Sequence, residues 1–251
     1  MRWIVVGAVC AVLFALPGTA SAATTCTPSA AHPYPVVLVH GTFENASMWA
    51  AVAPQIRAAG YCVFALNYGN NATGDIPTSA AQLGSFVDQV LAQTGASKVD
   101  LVGHSQGGMM PRYWMRFDGG ASKVDDLVGI APSNHGTTNP FATPAGVFCP
   151  ACAQQAAGSS FITNLNAGGD TLPGPSYTVI STRYDEVVTP YRSQALSGPS
   201  SQVTNVVLQD RCPFDFSEHL TIPDDPVTLR WVLNALGRSG PADPSLRPSC
   251  A

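Results

Sequence analysis

Short unbroken apolar runs alternate along the chain with stretches whose apolar residues recur every three or four positions. The two patterns predict different elements. Val36-Val37-Leu38-Val39 has no polar interruption, as a strand covered on both faces requires. Ala50 to Ala59 then reads as a short helix ending near Gly60, and Tyr61 to Leu66 as the next strand. Ser79-x-x-Gln82 has the form of a capping box, so a helix is expected to begin at Ser79. Leu83, Phe86, Val87, Val90 and Leu91 share one face of it. Val99-Asp100-Leu101-Val102 is a further strand, and Gly103 to Gly108 turns from it into a helix that reaches Phe117, stopped by Asp118-Gly119-Gly120. Val124 to Ile130, Tyr177 to Ser181 and Val203 to Leu208 read as strands, and residues 134–160 as a long irregular connection. Ser160 to Asn166 reads as a short helix and Pro226 to Leu236 as the closing one, with its proline suited to the first turn. This alternation predicts an α/β fold, a mostly parallel central sheet with helices on both faces, and a site at the C-terminal edge of its strands.

The N-terminus changes the expected compartment. Arg2 precedes the apolar run Trp3 to Leu16, Pro17-Gly18 break it, and Ala20-Ser21-Ala22 supplies a small-x-small cleavage pattern. The run is shorter than the roughly 20 residues a bilayer span needs. Residues 1–22 therefore read as a removed signal peptide, with a retained anchor as the alternative, and 23–251 as one secreted domain. The formal charge is −4, and losing Arg2 makes it one unit more negative. Without a basic run, nucleic-acid binding has no electrostatic footprint. A soluble monomer with a pocket for a small molecule is the expectation.

Of the 7 cysteines, Cys10 falls in the leader. Cys26, Cys62, Cys149, Cys152, Cys212 and Cys250 remain, an even set that argues for disulfides in an exported chain. Proximity along the expected fold suggests Cys26–Cys62, Cys149–Cys152 and Cys212–Cys250, the last pinning a Pro-rich tail, 238–251, that otherwise looks disordered. Cys149-Pro150-Ala151-Cys152 also has the form of a redox motif, which normally opens a helix after a strand. Among Gly, Pro and Ala it reads as a loop, which favours a structural crosslink.

Gly103-His104-Ser105-Gln106-Gly107 matches G-x-S-x-G between a strand and a helix, the context of a nucleophile elbow and so of the α/β-hydrolase fold. A serine on that strained turn stands clear of the sheet, and a flanking glycine admits the close approach of the next segment. The Gln106 amide points at the same space, near a helix N-terminus that favours developing negative charge. Serine needs a base to take its proton, and in this fold the acid and then the histidine follow the nucleophile. Of the 5 histidines, only His135 and His219 follow Ser105. His135 comes too early to leave a strand-end acid before it, so His219 is the base. Asp185, just beyond the strand Tyr177 to Ser181, is the acid, with Glu186 as its rival; Asp170 and Asp210 read as solvated loop residues. His104 is expected to pack beneath the elbow. His40-Gly41-Thr42-Phe43 follows the first strand, where the second oxyanion donor belongs, making Thr42 N–H and Gln106 N–H the pair.

Val-Leu-Val-His-Gly-Thr, Asn67-Tyr68-Gly69, Val-Asp-Leu-Val-Gly-His-Ser-Gln-Gly-Gly and Ala131-Pro132-Ser133-Asn134-His135-Gly136-Thr137 together resemble the secreted bacterial class 2 lipases. These are compact α/β-hydrolases related to the small Bacillus lipases, and the resemblance runs from about Pro35 to Leu236. It implies hydrolysis of triacylglycerols or other carboxylic esters through an acyl-enzyme on Ser105, without an organic cofactor. It carries the acid to Asp185, the base to His219 and the oxyanion donors to Thr42 and Gln106. The 134–160 loop and the cysteine-bearing insertion before His219 exceed the smallest members. Phe43, Met109, Val187, Val188 and Leu220, near these positions, are the residues expected to bind an apolar substrate; Trp49 and Ile222 lie near them too. Transient contact with a lipid interface suits such a substrate. No metal is called for. An acyltransferase would use the same triad, while a silent binding module or a dithiol oxidoreductase would require the ordered triad to be coincidental.

Overall fold

The computed structural model describes residues 26–140 and 148–250; the leader with its cleavage pattern lies outside them. Among the described residues the strands are β1 (Val36–Val39), β2 (Val63–Leu66), β3 (Val99–His104), β4 (Val124–Ile130), β5 (Ser176–Ser181) and β6 (Val203–Val207). They form one parallel sheet in the order β2-β1-β3-β4-β5-β6. The α-helices of five residues or more among the described residues are α1 (Ala53–Ala58), α2 (Ile76–Thr94), α3 (Gln106–Phe117), α4 (Pro150–Gln154), α5 (Ser160–Asn166) and α6 (Pro226–Leu236). The chain thus has the expected architecture, a parallel sheet between helical layers.

The apolar runs explain the layering. Successive side chains of a strand point to opposite faces. Val37 and Val39 of β1 accordingly join one buried cluster with Leu83 of α2 and Met110 of α3. Val36 and Leu38 join the other, with Ile56 of α1 and Trp231 of α6. A polar residue at any of these β1 positions would face a helix, which is why the run has none.

Boundaries differ where local hydrogen bonding outcompetes the pattern. The second helix begins at Ile76, not Ser79, because the Asp75 carboxylate accepts from Thr78 N–H (3.0 Å) and Pro77 lies in the first turn. Ser79 donates back to the Asp75 carbonyl, and Gln82 accepts from Gly69 N–H instead of closing a capping box. The expected loop around the CxxC motif contains α4, capped by Cys149, whose sulfur accepts from Cys152 N–H (3.1 Å). The motif therefore does open a helix, with its two sulfurs bonded to each other. The other disulfides join Cys26 to Cys62 and Cys212 to Cys250.

The C-terminal tail is ordered against β5 and β6. Ala242 is fully buried, donating its N–H to Thr178 Oγ1 (2.9 Å) and accepting from Thr204 Oγ1 (2.8 Å). Among the described residues no helix is long and apolar enough to cross a membrane.

Candidate active site

β3 sits at the middle of the sheet between β1 and β4, and its C-terminal end carries the turn into α3. Ser105 occupies that turn at φ 54°, ψ −121°, a strained backbone for a residue with a Cβ. The turn is held by Ser105 N–H donating to Ile130 O on β4 (2.9 Å). Close backbone approach accounts for two of the motif's glycines. A Cβ on Gly103 would lie 1.9 Å from Gly107 O, and one on Gly107 would lie 2.2 Å from Val39 O of β1.

The loop after β5 brings in Asp185. Its side chain is fully enclosed and both oxygens are doubly used. Oδ1 accepts from the N–H groups of Val187 (2.9 Å) and Val188 (2.7 Å). Oδ2 accepts from Gln194 Nε2 (2.7 Å) and His219 Nδ1 (2.8 Å). Glu186, one position on, is exposed. Only one of two neighbouring carboxylates can face inward here, and it is Asp185. Thr182 on the same loop donates to Ser217 O (2.6 Å), tying it to the segment that bears His219. An ionised carboxylate can only accept, so the His219 proton lies on Nδ1 and Nε2 is left as an acceptor. His219 and Ser105, 114 residues apart, line one cavity of about 500 Å³.

Thr42 faces the same cavity from the loop after β1. Its hydroxyl accepts from Gln106 Nε2 (2.8 Å) and from Gln155 Nε2 (2.9 Å). Each amide also donates to a main-chain carbonyl, Gln106 to Ala72 O and Gln155 to Ala151 O, which can only accept. That fixes both amide orientations. With both lone pairs taken, the Thr42 O–H has only its donor capacity left. Gln106 opens α3, so its own N–H is one of the orphan donors of a first helical turn. Ser133 anchors Gln155 in turn by donating to its Oε1 (2.7 Å).

His104 is buried at the elbow and does more than pack there: Nδ1 meets Glu44 Oε2 (3.0 Å) and Nε2 meets His219 O (2.9 Å). Burial pushes the Glu44 carboxyl up, but the hydrogen bonds from His104 and Gly41 N–H bring it below its ordinary value. His40, stacked on Tyr68, is pushed down by burial. His135 and Asp170 form a separate, partly buried pair (3.0 Å), with the Asp170 side chain largely enclosed, so Asp170 is no solvated loop residue. Against the upward push of burial, His135 and Ser197 N–H hold Asp170 at about 2.

Phe43, Val187, Val188 and Leu220 all line the cavity, whereas Met109 does not. Met109 is fully buried in the core under α3, because it follows the elbow on the face that packs against the sheet. Trp49 and Ile222 are likewise core. Glu44, Ser133 and Gln155 line the cavity without having been expected there. Glu44 follows Gly41 by three residues, a spacing with a turn-like signal; Gln155 sits in an aperiodic stretch with none.

Residues 33–232 match the family model described as lipase (class 2). Over 91 residues the chain is 42% identical to a triacylglycerol lipase of Pseudarthrobacter phenanthrenivorans and to one of Burkholderia plantarii. Each alignment covers 34% of this chain, but only 28% of the first relative and 25% of the second. Aspergillus fumigatus lipase B superposes with a TM-score of 0.75 at 24% identity, covering 88% of this chain and 57% of that one. Mature Bacillus licheniformis lipase BlEst2 superposes with a TM-score of 0.65 at 16% identity, covering 83% and 94%. At such identities the superpositions speak to the fold alone, and that fold is the α/β-hydrolase fold. The family match takes in the Ser105 turn, the Asp185 loop and the His219 loop alike, and the chain belongs to the class 2 lipase family.

Proposed function

We propose that the protein is a carboxylic ester hydrolase, a lipase or esterase, working through an acyl-enzyme on Ser105. The observation that carries this reading is the His219 Nδ1–Asp185 Oδ2 bond, which leaves His219 Nε2 free as a base in the cavity that Ser105 also lines. In the first step Ser105 Oγ bonds to the ester carbonyl carbon while its proton passes to His219 Nε2. The N–H groups of Thr42 and Gln106 receive the oxyanion, with the Thr42 hydroxyl as a third donor, a role supported by its two lone pairs being taken by Gln106 and Gln155. Collapse breaks the carbonyl–alkoxy bond, and the alcohol leaves with the proton held by His219. Water then repeats both steps on the acyl-enzyme and releases the acid.

Val187, Val188 and Cys152 give the cavity an apolar wall suited to an acyl chain. Phe43 and Leu220, 67% and 63% exposed, stand at its edge and support transient contact with a lipid surface. Triacylglycerol is the substrate printed in the names of the bacterial relatives, and an ester of that class fits this wall. Three disulfides and the leader pattern support secretion as one domain after removal of residues 1–22.

Treatment with a fluorophosphonate should label Ser105 stoichiometrically and abolish turnover of p-nitrophenyl butyrate. Ser105→Ala should neither label nor turn over, while its thermal unfolding stays within a few degrees of the wild type. Full turnover by Ser105→Ala would refute the assignment.

A further inference from the structure

Glu44 takes no part in the steps above, yet it faces the cavity. Its Oε2 is occupied, accepting from Gly41 N–H (2.6 Å) and meeting His104 Nδ1 (3.0 Å). Its Oε1 has no partner among the described residues, and the side chain keeps 20% of its surface open. The carboxylate is also close to the chemistry. A Cβ built on Gly41 would lie 2.8 Å from Glu44 Oε2, 3.0 Å from Ser105 Cβ and 3.1 Å from His104 Nδ1.

The position of Glu44 identifies the part of the substrate it meets. His104 links Glu44 to the carbonyl of His219, and the two imidazole rings lie 4.8 Å apart. Glu44 and His104 thus flank the base. Because His219 must hand its proton to the leaving oxygen, the alcohol portion of the ester lies along that flank. The apolar wall of Val187, Val188 and Cys152 is left for the acyl portion.

The hydrogen bonds of the pair set the kind of group it accepts. Both His104 nitrogens face acceptors, the Glu44 carboxylate and the His219 carbonyl. Glu44 Oε2 is committed to His104 and Gly41 N–H, which leaves Oε1 as the carboxylate oxygen open to the cavity. A free carboxylate lone pair suits an O–H donor. Charge-assisted hydrogen bonds of this kind are about twice as strong as neutral ones.

Resting on the serine-hydrolase reading, we infer that Glu44 is a specificity-determining residue for the alcohol portion of the substrate. Its Oε1 accepts a hydrogen bond from a hydroxyl of the leaving alcohol. Esters of polyols, partial glycerides among them, are then preferred over esters of plain alkanols of the same size.

The test compares kcat/KM for glycerol monobutyrate and pentyl butyrate, whose alcohol portions match in heavy atoms. Taking the ratio within each protein cancels any loss common to both esters. The wild type should favour the glycerol ester. Glu44→Leu should lower the ratio about tenfold, and Glu44→Gln, which trades a charge-assisted bond for a neutral one, severalfold. A wild type without preference, or a ratio unmoved in Glu44→Leu while Ser105 still takes up a fluorophosphonate, overturns the inference. Should Glu44→Leu not fold, the Glu44→Gln ratio decides alone: a severalfold fall supports the role and an unchanged ratio overturns it. Loss of fluorophosphonate labelling in the wild type would instead strike the hydrolase reading itself.

Discussion

At the scale of single residues, the site is a problem in counting lone pairs and protons. The Thr42 hydroxyl accepts two amide hydrogen bonds and so must donate. Thr42→Val keeps the shape and the main-chain N–H but removes that donor. If the hydroxyl meets the developing oxyanion, kcat should fall by about 10²-fold with KM nearly unchanged, the signature of a contact made only in the transition state. Steady-state kinetics on p-nitrophenyl butyrate reads this directly, and a rise in KM at constant kcat would assign Thr42 to ground-state binding. Leaving two amide donors short of an acceptor should also cost stability, about 1–3 kcal/mol. The sequence makes Thr42 visible because His40-Gly41-Thr42 follows a strand. Gln155, which orients the hydroxyl, is invisible there, since it is 113 residues away and obeys no period. Met109 illustrates the converse error. Adjacency to Ser105 along the chain suggests a place in the pocket, but the helix turns the side chain into the core.

Elements place these residues, and how well each was legible depends on how local its cause is. β1 follows from an unbroken apolar run, as a strand covered on both faces favours, while β3 and β4 follow from apolar runs interrupted by aspartates near their starts. The start of α2 lies earlier than the capping-box pattern predicts because the competing cap, Asp75, is four residues before Ser79 and acts together with Pro77. α4 was not expected, because five residues around a disulfide leave no periodicity to detect. The elbow was legible because its cause is steric and close at hand. A Cβ at Gly103 would fall 1.9 Å from the Gly107 carbonyl, backbone that cannot yield without moving α3 off β3. Gly103→Ala should therefore destabilise the protein by more than ~4 kcal/mol, among the largest costs single substitutions show. Gly119 is the control. It has φ +77° but nothing within 4 Å of an added Cβ, so Gly119→Ala should cost only about 1–2 kcal/mol of left-handed backbone strain. Urea titrations of the two variants separate close contact from backbone conformation, and equal losses would show that contact at the elbow is not what demands glycine.

At the scale of the whole molecule, the sheet has two ends with different electrostatics. The cavity lies where the strands end; near their starts, Asp100 of β3 and Asp126 of β4 are both buried, with Asp126 N–H donating to Asp100 Oδ1 (3.2 Å). Nothing in the alternating pattern marks this pair, because each aspartate alone reads as an ordinary polar break in an apolar run. Burial first, then repulsion from neighbouring aspartates, pushes the Asp100 carboxyl up to about 8 and the Asp126 carboxyl up to about 9. In the unfolded chain both would ionise near their ordinary value of about 4. Between that pH and about 8 to 9 the folded protein binds more protons than the unfolded one, so stability falls as pH rises across the window. Below it, both states are protonated and the pair has no effect. Asp126→Asn removes one of the two charges and supplies an amide that can donate to Asp100, letting that carboxylate ionise at lower cost. The variant should unfold like the wild type near pH 4, then gain on it steadily, by about 1 kcal/mol or more at pH 8. Thermal unfolding at pH 4.5, 6 and 8 checks the slope. An equal loss of stability at every pH would mean that the carboxyl of Asp126 serves packing, and that its titration is no part of the balance between folded and unfolded chain.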